Sequence, residues 1–176
     1  EAPSDNRLRQ VSVAADGTVW AVERSGVILQ RDRDRWRPMP GAAVQVSVGN
    51  AQHVWVLNGG EDIFRWTGAQ WQQSPARLVK VWAASDGSVW GVNRWGNVFR
   101  RDGNQWTEMP PGPIEVSVGS AQHVWGVEAQ GAVVRWDGHR WKRVGGEMAQ
   151  VAVAAAGSAW GVEPKGAIHH PGPRES

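Results

Sequence analysis

Tryptophan recurs along this chain at one fixed interval. Trp20, Trp55, Trp90, Trp125 and Trp160 are each 35 residues apart, and Trp36, Trp71, Trp106 and Trp141 keep the same period. Two phased ladders running through 176 residues require one small structural unit copied about five times. They also account for 13 tryptophans in a chain with no tyrosine and no cysteine. Most of these rings are expected to be scaffold, so an aromatic residue here is not by itself a binding site.

The copies align at approximately 11–45, 46–80, 81–115, 116–150 and 151–176, within one domain spanning 1–176. Each opens on a short apolar alternation, such as Val46-Ser47-Val48 or Val116-Ser117-Val118. A turn such as Asp16-Gly17 or Asp86-Gly87 leads to a run carrying the first tryptophan, as in Val89-Trp90-Gly91-Val92. A Gly-containing turn, a third run (Val98-Phe99-Arg100) and a turn such as Asp102-Gly103 lead to the second tryptophan. Four runs of period two with β-branched residues, separated by Asx-Gly turns, predict four antiparallel strands and almost no helix. One four-stranded meander per repeat is a propeller blade, which buries its faces only against neighbouring blades. The fold class expected is therefore all-β, a β-propeller of about five blades. The alternative is part of a six-bladed propeller.

The copies also alternate. The second and fourth share VSVGNAQHVW and VSVGSAQHVW, whereas the first and third share ADGTVW and SDGSVW. A 70-residue blade pair is the implied duplicated unit, with two alternating kinds of surface loop. The fifth copy lacks a tryptophan-bearing outer strand, and the segment Glu1–Arg9 is the candidate strap to complete it.

The signature VSVG, VWGV, G.V.R and W is clearest in Val116–Gly119, Val124–Val127, Gly131–Arg135 and Trp141. It resembles the tectonin repeat over residues 11–170. The resemblance implies a β-propeller, often six-bladed, and lectins that bind glycans on bacterial, fungal or nematode surfaces, some favouring O-methylated sugars or lipopolysaccharide. Other members of the family serve as interaction modules.

The chemistry of the chain excludes several function classes. Zero cysteines exclude disulfides, a Cys–zinc site and a thiol nucleophile. The net charge is +2 and arginines are spread over every repeat without forming a block longer than Arg100-Arg101, so no basic patch for nucleic acid is expected. No apolar stretch approaches the roughly 20 residues of a membrane span. Glu1 is read either as following a processed leader, which would place the chain outside the cell, or as the start of an excised piece. No Ser-His-Asp spacing, P-loop or dinucleotide fingerprint occurs, so no enzyme and no cofactor is expected. His53 and His123 are equivalent positions beside a turn, read as capping. The adjacent His169 and His170 would point to opposite faces of a strand, so no metal site is expected.

Binding is sought where repeats depart from the needs of the scaffold. Sugars are held by an aromatic face together with planar polar groups. The loop between second and third strands varies most, and Asn93-Arg94-Trp95 combines amide, guanidinium and indole in three residues. Arg24 and Asn58 occupy the same loop in earlier copies. The off-ladder rings Trp66, Trp82 and Trp136 complete the candidates, with inter-blade packing as the competing reading for Trp66 and Trp136. The partners expected are surface glycans engaged at several weak sites. The rival readings are a protein-interaction scaffold and an engineered or fragment propeller that oligomerises through its incomplete blade.

Overall fold

The computed structural model of the protein describes residues 7–171, which are all-β with no helix among them. Contacts divide the chain into two compact units, Glu1–Gly87 and Ser88–Ser176. The first unit holds β1 (Leu8–Val13), β2 (Val19–Glu23), β3 (Val27–Asp32), β4 (Arg35–Ala42), β5 (Gln45–Asn50), β6 (His53–Leu57), β7 (Asp62–Trp66), β8 (Trp71–Arg77) and β9 (Lys80–Ala83). The second holds β10 (Val89–Val92), β11 (Val98–Asp102), β12 (Gln105–Glu108), β13 (Glu115–Ser120), β14 (His123–Val127), β15 (Ala132–Trp136), β16 (Trp141–Glu147), β17 (Gln150–Val153), β18 (Ala159–Val162) and β19 (Ile168–His169).

Each repeat is an antiparallel meander, so the fold is of the β-propeller class. Sheets β1-β2-β3-β4, β5-β6-β7-β8 and β13-β14-β15-β16 have four strands, and β17-β18-β19 has three among the described residues. Strands begin one to three residues ahead of the repeat boundaries set from sequence, because Leu8, Gln45, Lys80, Glu115 and Gln150 already have extended backbone. Of the proposed strap, Glu1–Asn6 lies outside the described residues, while Leu8 and Arg9 belong to β1, with Leu8 opposite Glu23.

Two members of each tryptophan series, Trp20 and Trp90 with Trp71 and Trp141, pack between neighbouring blades. In the first unit Trp20, 1% exposed, stands tilted against Trp66 at 6.0 Å and edge to face with Trp71 at 5.8 Å. In the second, Trp90 stands 5.8 Å from Trp136 and 5.7 Å from Trp141. Such edge-on pairs add about 1 kcal/mol each beyond the area they bury. Trp71 and Trp141 also donate their indole N–H to the carbonyls of Pro40 and Pro110, at 2.7 and 3.1 Å. The triad recurs at the 70-residue interval of the blade pair. Trp160 differs, being 51% exposed, with the His170 ring 3.9 Å away.

Serines on the first strands of three blades reach across to the next blade. Ser12, Ser47 and Ser117 accept the backbone N–H of Val48, Ala83 and Val153, one blade further on, at 2.9 to 3.0 Å. Gln10 and Gln45 accept from Val46 and Val81 in the same way, at 3.0 Å. These side chains satisfy first-strand N–H groups that their own sheet leaves unpaired.

The GNAQH and GSAQH segments form a second kind of latch. A Cβ at Gly49 would lie 2.0 Å from the Ala84 carbonyl oxygen, and one at Gly119 would lie 2.2 Å from that of Ala154. Asn50 donates to Ser85 O at 2.6 Å, and His123 Nδ1 donates to Ala155 O at 2.9 Å. The rings of His53 and His123 then cover Gly87 and Gly157, whose φ values of 88° and 94° favour glycine. The two histidines therefore seat on the next blade's turn. The alternation seen in sequence is an alternation of first hairpins, bulged at Val48/Asn50 and Val118/Ser120 in the second and fourth repeats.

Candidate functional site

The variable loop between the second and third strands of each blade needs a left-handed residue near its end. Gly26, Gly96, Gly131 and Gly166 supply it with φ between 85° and 93°, and Glu61 takes the same role at 68°. The first loop residue fastens the turn. Asn58 Oδ1 accepts from Gly60 N and Asp62 N at 2.9 Å, and Asn93 Oδ1 accepts from Trp95 N at 3.0 Å and Asn97 N at 2.9 Å. The amide oxygens that sequence assigned to ligand binding are thus engaged with the loop backbone. Asn93 is 7% exposed.

The loop then forms one wall of a groove whose floor is the segment leading into the next blade. In the first unit this groove has a volume of about 440 Å³ and lies between Arg9, the Arg24–Gly26 loop, Ala43, Val44 and the Asn58–Gly60 loop. In the second unit a groove of about 320 Å³ lies between Ile114, Glu115, the Glu128–Gly131 loop, Met148, Ala149 and Pro164. The lining positions correspond at an interval of three repeats: 9 with 114, 24 with 129, 44 with 149, 59 with 164. Their backbones correspond too. Ala43 N donates to Gly26 O and Val44 N to Leu57 O, at 2.9 and 2.7 Å; Met148 N donates to Gly131 O and Ala149 N to Val162 O, at 2.8 and 2.7 Å. One skeleton has been lined twice with different side chains.

The electrostatics of the two differ. Two arginines and no carboxylate line the first groove. Two glutamates and no cation line the second, where Glu128 is paired with Arg143 at 2.6 Å.

The structure brings together two of the residues singled out from sequence, Arg24 and Asn58, on facing walls of one groove. Trp95 stands out from the corresponding loop of the third repeat, 76% exposed, with the Arg94 guanidinium 6.0 Å from its ring centroid. Trp66 and Trp136 are different. They are 8% and 6% exposed, and the Trp20 and Trp71 or Trp90 and Trp141 rings cover them, leaving no face for a ligand. Trp82 is half-buried on β9, where other blades carry the clamping serine. Arg9 escaped sequence reasoning because it precedes the first repeat frame. His169 faces Glu163 at 3.3 Å and His170 donates to Ala159 O at 2.7 Å.

The Tectonin domain family matches residues 7–102 and 83–172, the whole of the described chain. The chain belongs to this family. A search of curated proteins finds no match. Its tectonin repeats are similar in fold to YCF48 bound to a D1 peptide (TM-score 0.67, 17% identity, covering 96% of this chain and 66% of that one). They are also similar to a catalytically inactive virginiamycin B lyase from Staphylococcus aureus with quinupristin (0.68, 15%, 100% and 74%). A third such structure is the WD40 β-propeller domain of Doa1 (0.69, 14%, 95% and 65%). At these identities the likeness is one of fold, and the chain spans about two thirds of the length of these propellers. No helix among the described residues is long and apolar enough to cross a membrane.

Proposed function

We propose that this tectonin chain is a non-catalytic carbohydrate-binding module that engages surface glycans through several similar inter-blade grooves. The observation that carries this reading is the recurrence of one groove, on the same hydrogen-bonded skeleton, three repeats apart. An enzyme needs one cluster of unlike groups held once, whereas a lectin for a dense surface gains from repeating a modest site. Each groove is open and small, so single-site affinity is weak and avidity comes from simultaneous engagement.

Trp95 lies in neither of the two grooves but on the corresponding loop of the third repeat, where it supplies the aromatic element that sugar recognition most needs. Its exposed indole offers a flat face to the C–H side of a pyranose, and Arg94 lies within reach of hydroxyls on the same ring. Arg24, with the amide-capped loop of Asn58 opposite, offers polar groups at the corresponding loop of the first unit. The family's glycans, O-methylated sugars or lipopolysaccharide, are the ligand classes to try first.

The test is a glycan array probed with protein displayed at high density. Binding to one glycan class is expected, and Trp95→Ala should lower it about tenfold, the size of one lost stacking contact. Absence of any retained glycan at high density overturns the reading and leaves a protein-interaction scaffold.

A further inference from the structure

We infer that the groove of the first unit is built for an anionic saccharide, one bearing a carboxylate or phosphate, and that the groove of the second unit is not. This rests on the carbohydrate-binding reading of the grooves and adds the charge of the ligand.

Arg9 and Arg24 are brought to one edge by the β1–β2 pairing. Leu8 lies opposite Glu23, and Arg24 N–H donates to Arg7 O at 2.8 Å, so the two residues leave adjacent strand ends. Both side chains line the groove, both are exposed, and neither guanidinium has a partner among the described residues. Other arginines of the chain show what a structural guanidinium looks like here: Arg77 holds Asp62 at 3.3 Å, Arg100 holds Asp102 at 3.0 Å and Arg143 holds Glu128 at 2.6 Å. The carboxylates nearest the groove are already engaged. Glu23 accepts from Ser25 Oγ at 3.0 Å, and Asp62 accepts from Arg77 and from Asn58 Nδ2 at 3.1 Å.

An anion entering the groove meets two guanidiniums that no carboxylate among the described residues occupies. The planar fork of arginine matches a carboxylate or phosphate through two parallel hydrogen bonds, which a neutral hydroxyl cannot reproduce. In the second unit the same two positions are Ile114 and Ala129, and Glu115 and Glu128 line the cavity instead. That lining disfavours an anion. The divergence is invisible to the repeat signature, because Arg9 and Arg24 lie outside its positions.

The experiment measures binding by titration calorimetry, with NMR to locate the site, for four probes: trigalacturonate, neutral trigalactose, glucose 6-phosphate and inorganic phosphate. The acidic sugars are expected to bind at the first-unit groove. Arg9→Gln and Arg24→Gln should each weaken them about tenfold, as loss of one charged hydrogen-bonding partner does. Arg33→Gln, an exposed arginine of the β3–β4 turn, should leave binding unchanged. Raising salt from about 50 to about 500 mM should weaken the acidic probes and spare the neutral one. Equal binding of acidic and neutral trisaccharides, or full affinity in both groove variants, overturns the inference while leaving the carbohydrate reading intact. Inorganic phosphate bound as tightly as glucose 6-phosphate also overturns it, as an adventitious anion site. No binding of either acidic sugar overturns the inference, while the carbohydrate reading itself stands or falls on the glycan array.

Discussion

The grooves of the two units share a skeleton and differ in the charge of the side chains that line them. In both, a left-handed glycine ends the loop, and the following segment donates two backbone hydrogen bonds to it and to the second strand. Yet one is lined by arginines and the other by glutamates, Met148 and Pro164. The lesson is that repetition constrains the backbone and frees the loop side chains. The residues that hold blades together, Trp20 and Trp90 or Gly49 and Gly119, are the same in both units because each solves the same packing problem. The exposed lining side chains, Arg9 and Arg24 in one groove and Ile114 and Ala129 in the other, hold no blades together, so they are free to diverge in charge.

That division is tested most severely at the tryptophan triads. Trp20→Ala and Trp90→Ala should each destabilise the protein by about 4 kcal/mol, since each empties a buried ring site between two other indoles. Trp160→Ala, at a half-exposed ring, should cost about 1 kcal/mol. Urea denaturation followed by circular dichroism gives all three. Unequal costs for Trp20 and Trp90 would break the claim that the units share one scaffold. Gly49→Ala and Gly119→Ala come next, at about 3 kcal/mol each, because the obstacle is a backbone carbonyl of the next blade that cannot turn aside. If either variant keeps full stability, the latch is not as close as the geometry states.

The smallest expected effect is acid sensitivity. The Asp16 carboxyl is held below its ordinary value by the amides of Thr18, within its own turn, and Ala51, on the next blade. Asp137 is pushed down further by Lys142 and the amides of Arg140 and His139. For a depressed carboxylate the stabilisation is whole above the unfolded value and disappears as pH falls through the folded one. Stability should therefore decline below about pH 4, and Asp16→Asn should flatten part of that decline. A profile unchanged by the substitution would show that the Ala51 contact is too exposed to matter.

Much of this protein was legible as a string of letters. The 35-residue period, the four strands per repeat, the packing role of both tryptophan series and the pairing of blades all follow from spacing, because a copied unit must present the same surface each time. His53 and His123 could be read as turn-associated for the same reason. Other assignments needed the fold. Trp66 and Trp136 recur one blade pair apart and so already allowed a packing reading in sequence, but the neighbouring indoles are what show them covered while Trp95 stands in solvent. Asn93 and Trp95 are two residues apart, yet one turns inward to fasten the loop and the other outward. The grooves were beyond sequence altogether, since each is assembled from three segments of two blades, and Arg9 acquires meaning only when β1 sets it beside Arg24. The tryptophan period determined by itself that blades exist, because a copied unit repeats its strands, whereas the burial of Trp20 and the half-exposure of Trp160 on the same ladder depend on their neighbours. What a ligand would meet was decided in three dimensions, where loop ends far apart in the chain share one cavity.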